Sequence, residues 1–355
     1  MGRKLGVQSA VLGAFIGLAC LALLLRQVDL KQSWSTLGRL NEPYILIPLT
    51  VLVVNLPMRA WRWQLIFPSS KRPGLWTCLS VLGIANMANF LLPGRAGDVA
   101  RCVLVGRAGS LTDGSRTLAT LAVEKVLDGL ALLAMLLFSA WVLRPPQWVL
   151  DLIRVAIVVF GGALVLLVFL RYRTHALIGY VRRGSRRLHL YSVEERLDGL
   201  LASFADGLGA VSSAGQMLIL LLITAAVWTT EALSIWGLAL ALGLAVPLKS
   251  AVVASAVLGL GLMIPAAPGG LGTYELFGTE AFKLTGIAAS GALALTVVIH
   301  AWTFLVNTGI GVCLVGAKGI SFARLLAQLK DDSAVRATSS NPTDADLIES
   351  GIQKS

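Results

Sequence analysis

Pro93-Gly94-Arg95-Ala96-Gly97-Asp98 and Pro268-Gly269-Gly270-Leu271-Gly272-Thr273-Tyr274-Glu275 decide how this chain folds, because each interrupts an apolar run where a helix would otherwise continue. The first closes the stretch Trp76 to Leu92, and the second closes Ala251 to Ile264. Proline removes a backbone donor and stops a helix, while glycine admits sharp turns and close approach. Inside a bilayer, such irregular backbone survives only where protein or a watery cavity satisfies it. A new half-helix is expected to start at Asp98 and near Thr273, its free N–H groups and positive dipole end directed at the break. That end suits an anion, and Arg95 adds a guanidinium fork that fits a phosphate. The competing reading is a plain helix-to-helix turn at the membrane surface.

The rest of the chain is membrane-like. Of 355 residues, 56% are hydrophobic and 14% are charged, with a mean hydropathy of +0.78. Soluble domains lie near about 45–50% apolar and about 25% charged, so a two-domain soluble enzyme is excluded. A span needs about 20 mostly apolar residues. Val7 to Leu25, Leu118 to Leu143, Trp148 to Leu170, Met217 to Gly243 and Ala288 to Val315 qualify. A shorter candidate, Pro43 to Pro57, runs into Arg59-Ala60-Trp61-Arg62-Trp63, which reads as an interfacial anchor. The first run imitates a signal peptide after Arg3 and Lys4, but it continues past Cys20 to Leu25 and reads better as a retained span. Cys20, Cys78, Cys102 and Cys313 lie far apart in or beside apolar runs, as packing residues do.

Charge sets the expected topology. The net charge of +11 comes from 30 Lys+Arg against 19 Asp+Glu, gathered in a few loops. This is the pattern of cytoplasmic anchoring against anionic lipid, and no nucleic-acid partner is expected. The loop with Arg171, Arg173, Arg182, Arg183, Arg186 and Arg187 belongs inside. With Arg3 and Lys4 also inside, Trp76 to Leu92 must enter and leave by one face. Lys318, Arg324 and Lys330 ask the same of Ala251 to Ile264. The expected fold class is therefore an all-α polytopic membrane protein, with about six transmembrane helices plus two re-entrant helical hairpins. Val81-Leu82-Gly83 precedes the first break and Val257-Leu258-Gly259 the second, in units of opposite orientation, which is an inverted-repeat pattern. Residues 1–320 form the membrane domain, with a first repeat at about 43–143, a basic cytoplasmic loop at 171–212 and a second repeat at about 214–316. Residues 321–355 form a polar cytoplasmic tail expected to be disordered. Both termini are expected on the cytoplasmic side of the plasma membrane.

Charges inside the apolar segments are functional candidates by default. Glu124 and Asp128 are four apart and share a helix face, with Lys125 beside them. They either line a cavity or sit at the interface and pair with Arg101 or Arg116. Glu231 falls in the middle of an apolar helix. Glu275 is expected to neutralise or pair with Arg95 across a cavity shared by the two breaks, with Asn89, Asp98, Glu124 and Glu231 near its wall. His300 either carries a proton or is a packed, hydrogen-bonded core histidine, the second reading being favoured.

Arg59-Ala60-Trp61-Arg62-Trp63, Asn89 through Asp98, Glu124-Lys125-Val126-Leu127-Asp128 and Pro268 through Glu275 together resemble the lysylphosphatidylglycerol synthase transmembrane-region family, also called UPF0104. The resemblance runs from about residue 5 to 320, and its most specific part is the second glycine motif. Where the family pattern has Glu-Arg this chain has Glu124-Lys125, and Asp98 replaces a glutamate; lysine cannot copy a bidentate arginine contact. The resemblance implies lipid handling, with flippase activity in members that also carry an aminoacyl-transfer domain. Here only about 40 polar residues follow the last apolar run, so the chain reads as the membrane module alone.

The expected function is transport of a phosphate-bearing anionic lipid between leaflets. Its head group would be held by Asn89, Gly94, Arg95, Gly97, Asp98, Arg101, Pro268, Gly269, Gly270, Gly272 and Glu275. Arg59, Arg62, Glu124, Lys125, Asp128, Glu231 and His300 would serve as coupling or cavity charges. The alternatives are a membrane partner of a separate lipid-modifying enzyme, and an intramembrane enzyme using Glu124, Asp128 or Glu231 as acid or base. No metalloprotease, hydrolase or nucleotide-binding motif occurs. No cofactor or metal is therefore expected, and transport would be passive or ion-coupled.

Overall fold

The computed structural model describes residues 41–92, 96–107, 114–143, 146–173, 202–208, 214–263 and 268–318. The run Val7 to Leu25, most of the basic loop and the polar tail lie outside them, as do Pro93, Gly94 and Arg95. The described regular elements are helices: α1 (Leu46–Ile66), α2 (Leu75–Leu91), α3 (Ala96–Arg107), α4 (Gly114–Leu143), α5 (Gln147–Arg173), α6 (Ala214–Ala241), α7 (Leu248–Met263), α8 (Thr273–Lys283) and α9 (Ala289–Ala317), with a short helical segment at 202–207. Among them α5, α6, α9 and the stretch Pro43–Ile66 containing α1 are long and apolar enough to cross a membrane. α4 has 30 residues, about 45 Å at 1.5 Å per residue, but carries Arg116, Glu124, Lys125 and Asp128 in its first half. α2 and α7 are apolar but have only 17 and 16 residues.

Both glycine motifs separate helices. α2 stops at Leu91 and α3 begins at Ala96; α7 stops at Met263 and α8 begins at Thr273. α2 packs on α3 and α9, α7 on α6 and α8, and α8 on α9, while α1 lies against α2 and α6. Membrane helices associate where small residues let backbones meet. Gly97 is the extreme case: a Cβ there would collide with the Ala85 carbonyl of α2. In α5 a π-helical turn at Ile157–Gly161 sits where Phe160 packs onto Gly129 of α4.

One expectation is corrected. The second apolar stretch was expected to cover about Pro43 to Pro57 and to continue into residues 59–63 as an interfacial anchor. α1 runs unbroken through Pro57 to Ile66. Pro57 is exposed, so its ring points away from the packed interior, and membrane helices tolerate the lost N–H. Arg62 and Trp63 are completely buried, whereas Trp61 faces outward. The polar stripe of α1 therefore turns inward, where Arg62 meets the buried carboxylates of Asp128 and Glu124.

Candidate functional site

α1, α2, α6, α7 and α9 enclose a cavity of about 290 Å³. Its polar wall draws Asn55 and Arg59 from α1, Asn86 and Asn89 from α2, and Asp98 and Arg101 from α3. α4 gives Glu124, Lys125 and Asp128, and α6 gives Trp228 and Glu231. Gly269 and Gly270 of the second break, Tyr274 of α8, and Trp302, Thr303 and Asn307 of α9 complete it with Ser234 and Ser255. Leu92 and Asp98, on either side of the first break, thus share a cavity with the second break.

Three of these wall charges, Arg101, Glu124 and Asp128, join Arg62 behind them in two forked pairs. Arg62 donates to both oxygens of Asp128, at 2.6 and 3.2 Å, and to Thr224 Oγ1 at 3.1 Å. Arg101 donates to both oxygens of Glu124, at 3.2 and 2.6 Å. Arg62 Nη2 also lies 3.7 Å from Glu124 Oε1, which joins the pairs. Trp228 Nε1 donates to Asp128 Oδ1 at 3.0 Å, and the Arg101 guanidinium stands 4.1 Å over the Trp63 ring. All four charged groups are buried. Charges so placed persist with matched forks, which the two guanidinium–carboxylate pairs supply through their terminal nitrogens. The spacing of four on α4 aims Glu124 and Asp128 at the two arginines together. Glu124 combines elements of both sequence readings: it lines the cavity and pairs with Arg101, at a buried position.

Nearer the cavity the pairing loosens. Arg59 meets Glu231 at 3.5 Å, with the side chains 23% and 33% exposed. Arg59 Nε donates to Asn55 Oδ1 at 2.7 Å, Asn55 donates to Thr230 at 2.8 Å, and the guanidinium lies 5.4 Å from the Trp228 ring centroid. Lys125 lies 3.5 Å from Asp98, which Asn89 Nδ2 also reaches at 3.5 Å. Asn89 Oδ1, Arg62 Nε and Arg101 Nε are buried without a hydrogen-bond partner among the described residues.

The second break is a separate construction. Gly269, Gly270 and Gly272 have φ of 67°, 78° and 83°, a left-handed run that suits glycine. The Gly272 N–H donates to Glu275 Oε2 at 2.7 Å, closing the first turn of α8. Glu275 Oε1 lies 2.5 Å from His300 Nδ1, and His300 Nε2 lies 2.9 Å from the Gly269 carbonyl oxygen. Tyr274 stacks on the imidazole at 4.4 Å. Glu275 was expected to face the shared cavity opposite Arg95. Its carboxylate is instead engaged by Gly272 and His300, and it is not among the residues lining the cavity. Gly94 and Arg95 lie outside the described residues.

Asn55, Asn86, Asn307, Trp228 and Tyr274 were not singled out in the sequence. The asparagines had a usable signal, being amides inside apolar helices. Trp228 had one too, since it sits three residues before Glu231 on the same helix face. Among the described residues, no three His, Cys, Asp or Glu side chains gather as a metal centre would need.

Comparison with known proteins fits this arrangement. The chain is similar to the glycosyltransferase AglD of Haloferax volcanii, 26% identical over 323 residues that cover 82% of this chain and 51% of that protein. It is also similar to the UPF0104 membrane protein MJ1078 of Methanocaldococcus jannaschii, 28% identical over 214 residues that cover 59% of this chain and 84% of that protein. The chain thus spans about half the length of the first relative and most of the second. No solved structure matches. Residues 10–311 match the model of the lysylphosphatidylglycerol synthase TM region, and the chain belongs to that family.

Proposed function

We propose that this protein moves a phosphate-bearing anionic lipid between the leaflets of the plasma membrane. The observation that carries this reading is a charged cavity lined by apolar helices, in which two cations, Arg59 and Lys125, are part-exposed and held in long pairs. Arg62 and Arg101 are locked in buried forks, whereas Arg59 meets Glu231 at 3.5 Å and stays part-exposed on the cavity wall. A phosphate entering beside Trp228 takes over the Arg59 guanidinium through charge-assisted hydrogen bonds that Glu231 makes poorly. Val51, Leu52, Leu56, Val306 and Ile310 line the same cavity from α1 and α9, giving an apolar wall against which the first carbons of an acyl chain rest.

In this reading the chain forms about six transmembrane helices and two re-entrant hairpins, α2–α3 and α7–α8, as an inverted repeat entering from opposite faces. Both termini lie in the cytoplasm. The arginine-rich loop, the two short apolar helices and the glycine breaks that follow them support that topology. Arg95 in the first break serves as a second phosphate ligand.

A second reading rests on one comparison. The match to the protein named glycosyltransferase AglD covers about half of that protein, so a similar membrane module there is joined to a comparable length of other chain. Here the module would act as the membrane partner of a separate lipid-modifying enzyme. Reconstitution into liposomes with a fluorescent phosphatidylglycerol, scored for both leaflet transfer and chemical change, separates the readings. Protein-dependent transfer without chemical change supports transport; no acceleration over protein-free liposomes refutes it.

A further inference from the structure

His300 is an imidazole between two acceptors. The Gly269 carbonyl has only lone pairs to offer, so the 2.9 Å contact requires a hydrogen on Nε2. Nδ1 and Glu275 Oε1 are the remaining pair, and two lone pairs do not make a hydrogen bond. One proton must therefore lie between them, on the ring or on the carboxyl. Without it, a neutral imidazole has a single N–H for two acceptors, and one contact becomes repulsive. The carboxylate also accepts from Gly272, so the same group closes the N-terminus of α8.

We propose that Glu275 and His300 form a proton-binding site whose occupancy fastens the second glycine break to α9, and that release of this proton frees Gly269 and Gly270 as a movable part of the cavity wall. The placement supports it. Gly269 and Gly270 line the cavity, the Gly270 carbonyl accepting only a local bond from Thr273 Oγ1 at 2.9 Å among the bonds described, and Tyr274, stacked on the ring, lines it too. A proton leaving the pair therefore has water-accessible space close by.

The neighbouring elements leave the pair electrically simple. α9 carries no titratable group besides His300 and Cys313, and α2, packed on α9 and on the break, carries only Cys78. α7 carries only Lys249, near its start, and α6 only Glu231, which lines the cavity together with Tyr274. α8 adds Tyr274 and the Glu280–Lys283 pair, which bond each other at 2.7 Å. Glu275 is the carboxylate in bonding contact with the ring.

Glu275→Gln tests the site in the full chain. A glutamine there donates its amide N–H to Nδ1 of a neutral imidazole and still accepts from Gly272. All three links are then kept without the extra proton. Hydrogen exchange of the peptide covering residues 269–276 is compared between wild type and Glu275→Gln at matched pH, which cancels the intrinsic pH dependence of exchange. The two are expected to be equally protected at about pH 5, with wild type becoming at least about tenfold less protected by about pH 10, the worth of one hydrogen bond. Equal protection throughout overturns the proposal. Imidazole 15N signals give an independent readout, because the chain has 3 histidines and a His300→Gln spectrum assigns the third. A His300 ring whose Nε2 bears no hydrogen at about pH 5, or which does not titrate up to about pH 10, overturns it as well. Neither readout depends on what the protein transports.

Discussion

Replacing Arg62 with methionine removes the cation that touches both Asp128 and Glu124 while keeping most of its aliphatic volume. Asp128 is 4% exposed, and it would retain only the Trp228 N–H at 3.0 Å among the bonds described above. Leaving a buried charge unpaired costs about 3–5 kcal/mol, and Asp128→Leu, which leaves Arg62 only Thr224 and the 3.7 Å contact to Glu124, should cost a similar amount. Removing both charges is a different case. The double variant loses the pair together and leaves the Trp228 N–H without its acceptor, at about 1–3 kcal/mol. The singles therefore sum to about 6–10 kcal/mol and the double variant reaches about 1–3, giving a coupling energy of at least about 3 kcal/mol. The assay is the unfolding free energy in mixed micelles titrated with dodecyl sulfate and followed by tryptophan fluorescence. An Arg62→Met cost below about 1 kcal/mol would refute the reasoning, as would a double variant as damaged as the sum.

Gly97→Ala should lose at least about 1–3 kcal/mol in the same titration, because its Cβ meets the Ala85 carbonyl, which cannot step aside; wild-type stability would contradict the close α2–α3 crossing. Trp228→Phe keeps a ring near Arg59 but removes the donor to Asp128, and about 1–3 kcal/mol is the expected loss. Arg59→Ala breaks a long, part-exposed pair and should change stability by less than about 1 kcal/mol; a larger loss would make Arg59 structural. Gly184→Cys, in the arginine-rich loop, should react with impermeant thiol reagents only from the cytoplasmic side, and Pro146→Cys only from outside; external labelling at 184 in intact cells sinks the proposed topology.

What the sequence displayed was local. Proline and glycine act on the residues beside them, so the ends of α2 and α7 and the starts of α3 and α8 could be read within two or three positions. The shared face of Glu124 and Asp128 follows from helix geometry alone. The partners of those carboxylates were less legible, because they come from far along the chain: Arg62 is 66 residues from Asp128, and Trp228 is 100. The same distance hid the setting of the end of α1, since the arginines beyond Pro57 look like an interfacial anchor until the buried acids opposite Arg62 are known. Glu275 misled in the other direction. Three residues after Gly272, it had the spacing of a capping box, and the structure shows that local link together with His300.

The central claim is tested most directly by the rate of phosphatidylglycerol transfer between leaflets in matched liposomes containing wild type, Arg59→Ala, or Trp141→Ala, whose ring is 82% exposed on the outer face of α4. A charge-assisted hydrogen bond to phosphate is worth about 1.5–3 kcal/mol, so Arg59→Ala should be slower by about tenfold or more at unchanged stability. Wild type and Trp141→Ala should transfer at the same rate, well above protein-free liposomes. Wild type no faster than empty liposomes, or Arg59→Ala as fast as wild type, would contradict the account.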